Sequence, residues 1–86
     1  MTWDVQLSSR ANRSLSRIPK RDQQRIDRAL LAMRAEPLSG DIVPLKGEHQ
    51  GLFRRRVGPW RILFAVKLED RAIVVHDIRR RTSTTY

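Results

Sequence analysis

The stretch 52–64 reads Leu-Phe-Arg-Arg-Arg-Val-Gly-Pro-Trp-Arg-Ile-Leu-Phe and sets Arg54, Arg56 and Arg61 on either side of a Gly-Pro turn. A guanidinium is planar and permanently charged, and its fork of donors fits phosphate oxygens two at a time. Arginines gathered on one surface therefore suit chemistry at a phosphodiester. Metal-free cleavage of RNA is one such reaction. The 2′-hydroxyl of the substrate is the nucleophile, and the protein has only to orient it, stabilise charge on the phosphate oxygens and move protons. Arginine supplies the stabilisation but cannot act as the base. That task would fall to Tyr86, whose high pKa neighbouring arginines could lower, or to His49 or His76. Plain nucleic-acid binding needs the same charge, and exposed sheet arginines are ordinarily only solvated, so composition alone leaves catalysis open.

Other chemistries find no support. No cysteine is present, so there is neither a disulfide framework nor a thiolate metal site, and no paired carboxylates, Cys-His couple or Gly-rich phosphate loop occurs. No metal or cofactor is expected. Eighteen Lys plus Arg against nine Asp plus Glu give a net charge of +9, with arginine far outnumbering lysine. Such an excess favours a polyanionic partner, nucleic acid first, with an acidic protein or anionic lipid behind it. The apolar runs are too short to span a bilayer and the N-terminus lacks a signal-peptide pattern, so a soluble cytoplasmic protein is expected.

The elements that would position these residues are readable from periodicity. In 86 residues there is room for one small domain, 1–86, with a single core. Trp3, Val5 and Leu7 alternate as a first strand, with Trp3 in the core. Ser8 or Ser9 caps a helix with Ala11, Leu15 and Ile18 on one face, ended by Pro19. A second helix over about 20–35 buries Ile26, Leu30 and Met33 and stops before Pro37. The segment 38–51, punctuated by Gly40, Pro44, Gly47 and Gly51, reads as a connecting loop anchored by Leu45 and carrying Lys46 and His49. Phe53 and Val57 alternate with Arg54 and Arg56 as a half-buried strand, Gly58-Pro59 turns, and 60–66 forms the next strand. Arg55 breaks that alternation, standing where an apolar residue is expected. Whether Arg61 shares a face with Arg54 and Arg56 depends on a register that the turn sequence leaves open. Glu69-Asp70 turns again, 72–78 forms a last strand containing His76, and Arg79-Arg80-Arg81 leads into a hydroxyl-rich tail ending in Tyr86. The expectation is an α+β fold, a small antiparallel sheet packed on an N-terminal αα-hairpin in the order β-α-α-β-β-β.

Taken together, the αα-hairpin ending in Pro37, Leu45-Lys46-Gly47, Gly51-Leu52-Phe53-Arg54, Arg56-Val57-Gly58, Trp60-Arg61-Ile62 and a late Arg80-Arg81 with Tyr86 carry a resemblance over nearly the whole chain. The sequence resembles the RelE/ParE toxin superfamily of bacterial toxin–antitoxin modules. For a RelE-like member the resemblance implies an endoribonuclease that cleaves messenger RNA in the ribosomal A site, leaving a 2′,3′-cyclic or 3′-phosphate and a 5′-hydroxyl. It implies Arg54 and Arg56 as the basic pair before the glycine turn and Arg61 as the arginine after the aromatic residue. The phosphate-stabilising arginine of the last strand falls on Arg80 or Arg81, and the C-terminal tyrosine on Tyr86. Lys46 and Arg79 join Arg54, Arg56 and Arg61 as RNA-binding residues. The partners implied are the mRNA, the ribosome and a cognate antitoxin that forms a hetero-oligomer with the toxin. RelE-like members often carry lysines where Arg54 and Arg56 stand. The ParE-like branch shares the fold but poisons DNA gyrase without cutting RNA, and is the alternative.

Overall fold

The computed structural model describes residues 2–47 and 50–80. The elements follow in the order β1 (Asp4–Leu7), α1 (Ser9–Ser16), α2 (Lys20–Ala35), β2 (Ile42–Pro44), β3 (Phe53–Val57), β4 (Trp60–Lys67) and β5 (Ala72–Arg80). The strands form one five-stranded sheet in the order β1-β5-β4-β3-β2. The sheet is α+β in kind, as expected, but mixed rather than wholly antiparallel. β1 runs parallel to β5, with Val5 opposite Ile73 and Leu7 opposite Val75, while the other pairs are antiparallel.

Local chemistry sets the ends of the helices. The Ser8 hydroxyl accepts from Ala11 N at 3.0 Å, satisfying a free amide of the first turn of α1, and donates to the His76 carbonyl at 2.7 Å. One side chain thus caps the helix and ties it to β5. At the other end the Gln23 amide donates to the carbonyls of Leu15 and Ile18, both at 2.9 Å. Glu36, forced out of the helical region by the ring of Pro37, turns extended and ends α2.

Ile26, Leu30 and Met33 of α2 pack with Ala11 of α1 and Ile18 of the α1–α2 connection on the sheet face formed by residues such as Ile62 and Phe64. Ile26 and Met33 are fully buried, and burial of such a side chain contributes about 1.5 to 3 kcal/mol. Trp3 is half-buried against this core, with the Arg71 guanidinium 4.8 Å above its ring.

Two details depart from the sequence expectation. The segment 38–51 is not all loop, because Ile42, Val43 and Pro44 pair with Arg55, Arg54 and Phe53 as an edge strand. A proline is tolerated there, since one side of an edge strand has no partner to receive its missing N–H. In β4–β5 the register jumps between Leu63, opposite Asp77, and Phe64, opposite Val75. His76 is therefore an extra residue, a bulge that resets which side chains of β5 face which way.

Candidate functional site, an arginine face

The hairpin turn fixes the register that the sequence leaves open. Val57 pairs with Trp60 across the two residues Gly58 and Pro59, and Gly58 has φ +58°. Positive φ followed by the negative φ that a proline ring imposes is the geometry of a tight hairpin turn whose twist suits its strands. Arg56 is then opposite Arg61, and Arg61 opposite Arg79. Directly opposed residues share a face, so Arg56, Arg61 and Arg79 form one row across three strands, on the side away from the helices. The next row on that face is Arg54, Leu63 and Asp77.

Alternation sends the remaining arginines to the other side. Arg80 is opposite Trp60, and its guanidinium lies 5.8 Å from the Trp60 ring. Trp60 faces the helices, where its indole N–H donates to Asp22 at 2.9 Å. Arg80, which the resemblance offers with Arg81 as the phosphate-stabilising arginine, therefore lies on the face opposite Arg61, whereas Arg79 shares the face of Arg61. Arg55, the break in the sequence alternation, is opposite Ile62 on the helix side and donates from Nη1 to the Ala29 carbonyl of α2 at 3.0 Å. Burial pulls its pKa below the ordinary arginine value.

Two carboxylates hold this face in order. Arg54 lies 3.6 Å from Asp41, which is exposed. Asp77 is buried, and it accepts from Arg79 Nε at 2.9 Å on one oxygen and from the Ser14 hydroxyl and the Ile78 amide, both at 2.8 Å, on the other. Burial pushes the Asp77 carboxyl up, but hydrogen bonds from Arg79, Ser14 and Ile78, together with the Arg79 charge, outweigh it and hold the group below the usual carboxylate range. Through Ser14 the same carboxylate fastens α1 to the arginine row.

A cavity of about 290 Å³ opens beside the row, lined by Arg10, Leu63, His76, Asp77 and Arg79 among others. His76 is exposed and reaches this cavity because of the bulge. Sequence reading named it as a base without a reason for its placement. It missed the positioning of Arg79 by Asp77 and the contact of Arg10 with the site, both of which depend on long-range pairing. Lys46 is exposed and lies outside the strands that carry the row. His49, Arg81 and Tyr86 lie outside the described residues. No group of three or more His, Cys, Asp or Glu side chains able to hold a metal occurs among the described residues.

This arrangement of helices and sheet recurs in solved toxin–antitoxin structures. The RelBE2 complex of Mycobacterium tuberculosis contains a chain that is 26% identical, superposes with a TM-score of 0.85 and matches over 94% of this chain and 100% of its own length. The RelE–RelB complex of Pyrococcus horikoshii OT3 gives a TM-score of 0.84 at 24% identity, over 98% of this chain and 100% of that one. A putative toxin RelE1 of Methanocaldococcus jannaschii is 26% identical over 84 residues, covering 94% of this chain and 92% of the relative. The fold is thus that of toxins of the RelE kind. The family model described as the ParE toxin of type II toxin–antitoxin systems, parDE, matches residues 5–84, and the chain belongs to that family.

Proposed function

We propose that the chain is the toxin component of a type II module and acts as a metal-independent endoribonuclease, cutting messenger RNA at the ribosomal A site and so stopping translation. The observation that carries this reading is the row Arg56, Arg61 and Arg79. Three arginines at directly opposed positions on neighbouring strands gather like charge on one face, offset in part at Arg79 by Asp77, and an anion there would be favoured by that potential. A phosphodiester on this face would meet donors from three strands.

In the reaction, the 2′-oxygen attacks the adjacent phosphorus, the bond to the 5′-oxygen breaks, and a 2′,3′-cyclic phosphate and a 5′-hydroxyl result. Arg61 and Arg79 stabilise the charge that grows on the phosphate oxygens, and Arg54 and Arg56 bind the flanking backbone. Removing one such donor typically lowers the rate by about 10² to 10³. The 2′-hydroxyl proton passes to a base and another proton reaches the leaving oxygen. The family resemblance assigns the proton transfer to Tyr86. His76, beside Arg79 in the cavity, is the titratable alternative among the described residues.

The protein would act in the cytoplasm, where ribosomes are. Its relatives in solved complexes are named with RelB antitoxins, and a cognate antitoxin restraining this chain in a hetero-oligomer follows by analogy. No helix among the described residues is long and apolar enough to cross a membrane.

A second reading has its own support, since the matching family model is named for ParE toxins. In that branch the toxin poisons DNA gyrase by protein contacts and needs no arginine row. One pair of assays separates the two: message ends mapped by primer extension after adding the protein to a translation extract, and gyrase supercoiling measured in parallel. The nuclease reading expects new message ends and undisturbed supercoiling; the reverse pattern replaces it with the gyrase reading.

A further inference from the structure

A second arginine cluster, of which the reaction above uses only Arg56, lies between α2 and β3. Arg25 and Arg28 of α2 and Arg55 and Arg56 of β3 line a cleft of about 400 Å³ at the end of the β3–β4 hairpin. No acidic residue is part of its lining. Asp22, 3.9 Å from Arg25 Nη1, lies outside it and already accepts the Trp60 indole N–H. Arg55 Nε is buried and has no hydrogen-bond partner among the described residues. The space for these side chains comes from glycines. A Cβ at Gly58 would come within 2.6 Å of Arg25 Nη2, and one at Gly40 within 2.9 Å of Arg55 Nη2. Like charges held around a concave surface, with Asp22 at the Arg25 end outside the lining, raise the free energy of the empty state and focus a positive potential on the space between them.

We propose that this cleft binds a backbone phosphate of RNA that flanks the phosphate held by the Arg61 row, so that one strand passes over the end of β3 from one side of the sheet to the other. Arg56 links the two sites, since it lines the cleft and is the cross-strand partner of Arg61. The route lies past the end of β2, which pairs with β3 only as far as Arg55; the Arg56 N–H still donates to the Asp41 carbonyl at 3.0 Å, and beyond it the outer edge of β3 at Val57 has no strand beside it. The chemistry also favours a phosphate over an acidic protein segment. Protein partners anchor through apolar side chains in pockets, and this lining offers only Ala29 and Val57.

The inference rests on the nuclease reading, and its test does not require cleavage. The probe is an uncleavable 2′-O-methyl oligoribonucleotide of about ten nucleotides, within the length a single small domain covers. Its affinity is measured against salt for the wild type, for Arg25→Gln/Arg28→Gln, and for the charge-matched pair Arg13→Gln/Arg17→Gln at the end of α1. Each neutralised phosphate contributes about 0.7 to the slope of log affinity on log salt. The cleft variant should lose roughly 0.7 to 1.4 of slope, while the α1 variant keeps the wild-type value. With a trinucleotide probe, too short to leave the Arg61 face, the cleft variant and wild type should bind alike. Should the double variant melt early, Arg28→Gln alone reads the same loss at half size. Equal slopes in wild type and cleft variant, or equal losses in both variants, overturn the proposal. So does a cleft variant that keeps its RNA slope but loses affinity for the antitoxin, which would make the cleft a protein contact. A wild type that binds the probe as described yet leaves messages intact would remove the nuclease reading and leave the binding site standing.

Discussion

Arg61 and Arg79 are direct cross-strand partners in β4 and β5, and Asp77, two residues before Arg79, holds the Arg79 guanidinium through Nε at 2.9 Å. Opposed like charges destabilise a strand pair, by an amount of the same order as the roughly 0.2 to 1 kcal/mol that a favourable pair contributes. The carboxylate offsets part of that repulsion. Because it engages Nε, it also restrains the plane of the guanidinium and leaves the two Nη groups as the donors nearest the free end of the side chain.

This placement distinguishes the arginines of the last strand. Arg79→Ala should lower message cleavage by about 10² or more, as loss of a transition-state donor does. Arg80→Ala, on the Trp60 side, should cost far less. Turnover of the two variants in the same translation extract checks this, and equal losses would mean that the β5 register does not decide the role.

Asp77 ties stability to pH. Its folded-state pKa is held below the ordinary value of 3.8, so the unfolded chain takes up this proton at higher pH than the folded one. The stabilisation is therefore fully present above the ordinary carboxylate pKa and is lost as pH falls through the lowered folded value. Asp77→Asn removes the charge and replaces one of the two acceptor oxygens by a donor, so that either Arg79 Nε or the Ser14 and Ile78 donors lose their acceptor, and should destabilise the protein at neutral pH by about 1.5 to 3 kcal/mol, the scale of a hydrogen bond to a charged group. Urea unfolding from about pH 7 down to about pH 2 should show the wild type losing more stability than the variant, with the two curves converging at the acid end. Parallel curves would assign the stabilisation to other carboxylates.

How far the sequence foretold this arrangement depended on whether a feature was local. Both helices, their ends at Pro19 and Pro37 and the β3–β4 hairpin followed from periodicity and proline chemistry within a few residues. The parallel pairing of β1 with β5 joins segments nearly seventy residues apart, and nothing in Asp4–Leu7 specifies its partner. β2 is three residues ending in proline, too short for a period to show. The bulge at His76 is a mismatch between two strands, invisible in either alone, yet it decides that Arg79 rather than Arg80 faces the row. Arg55 was readable as an anomaly, and its explanation, the Ala29 carbonyl, required the helix packed above it.

Association with an antitoxin should respond to salt. With a net charge of +9, encounter with an acidic partner is accelerated by electrostatic attraction and slowed as the Debye length shrinks from about 10 Å at 0.1 M salt to about 3 Å at 1 M. Stopped-flow association rates with the cognate antitoxin should fall steeply over that range, with dissociation changing less. A flat association rate would mean that apolar contacts govern the encounter.

The central claim is that the arginine row stabilises charge on a scissile phosphate, and Arg61→Ala tests it most directly. The wild type and this variant are added to a translation extract, recovered messages are assayed for new 5′-hydroxyl ends, and both proteins are melted in the same buffer. The account predicts abundant 5′-hydroxyl ends with the wild type, a loss of about 10² or more with Arg61→Ala, and a variant that still melts as a cooperative fold. Intact messages with the wild type, undiminished cleavage by Arg61→Ala, or a variant that no longer folds would contradict it.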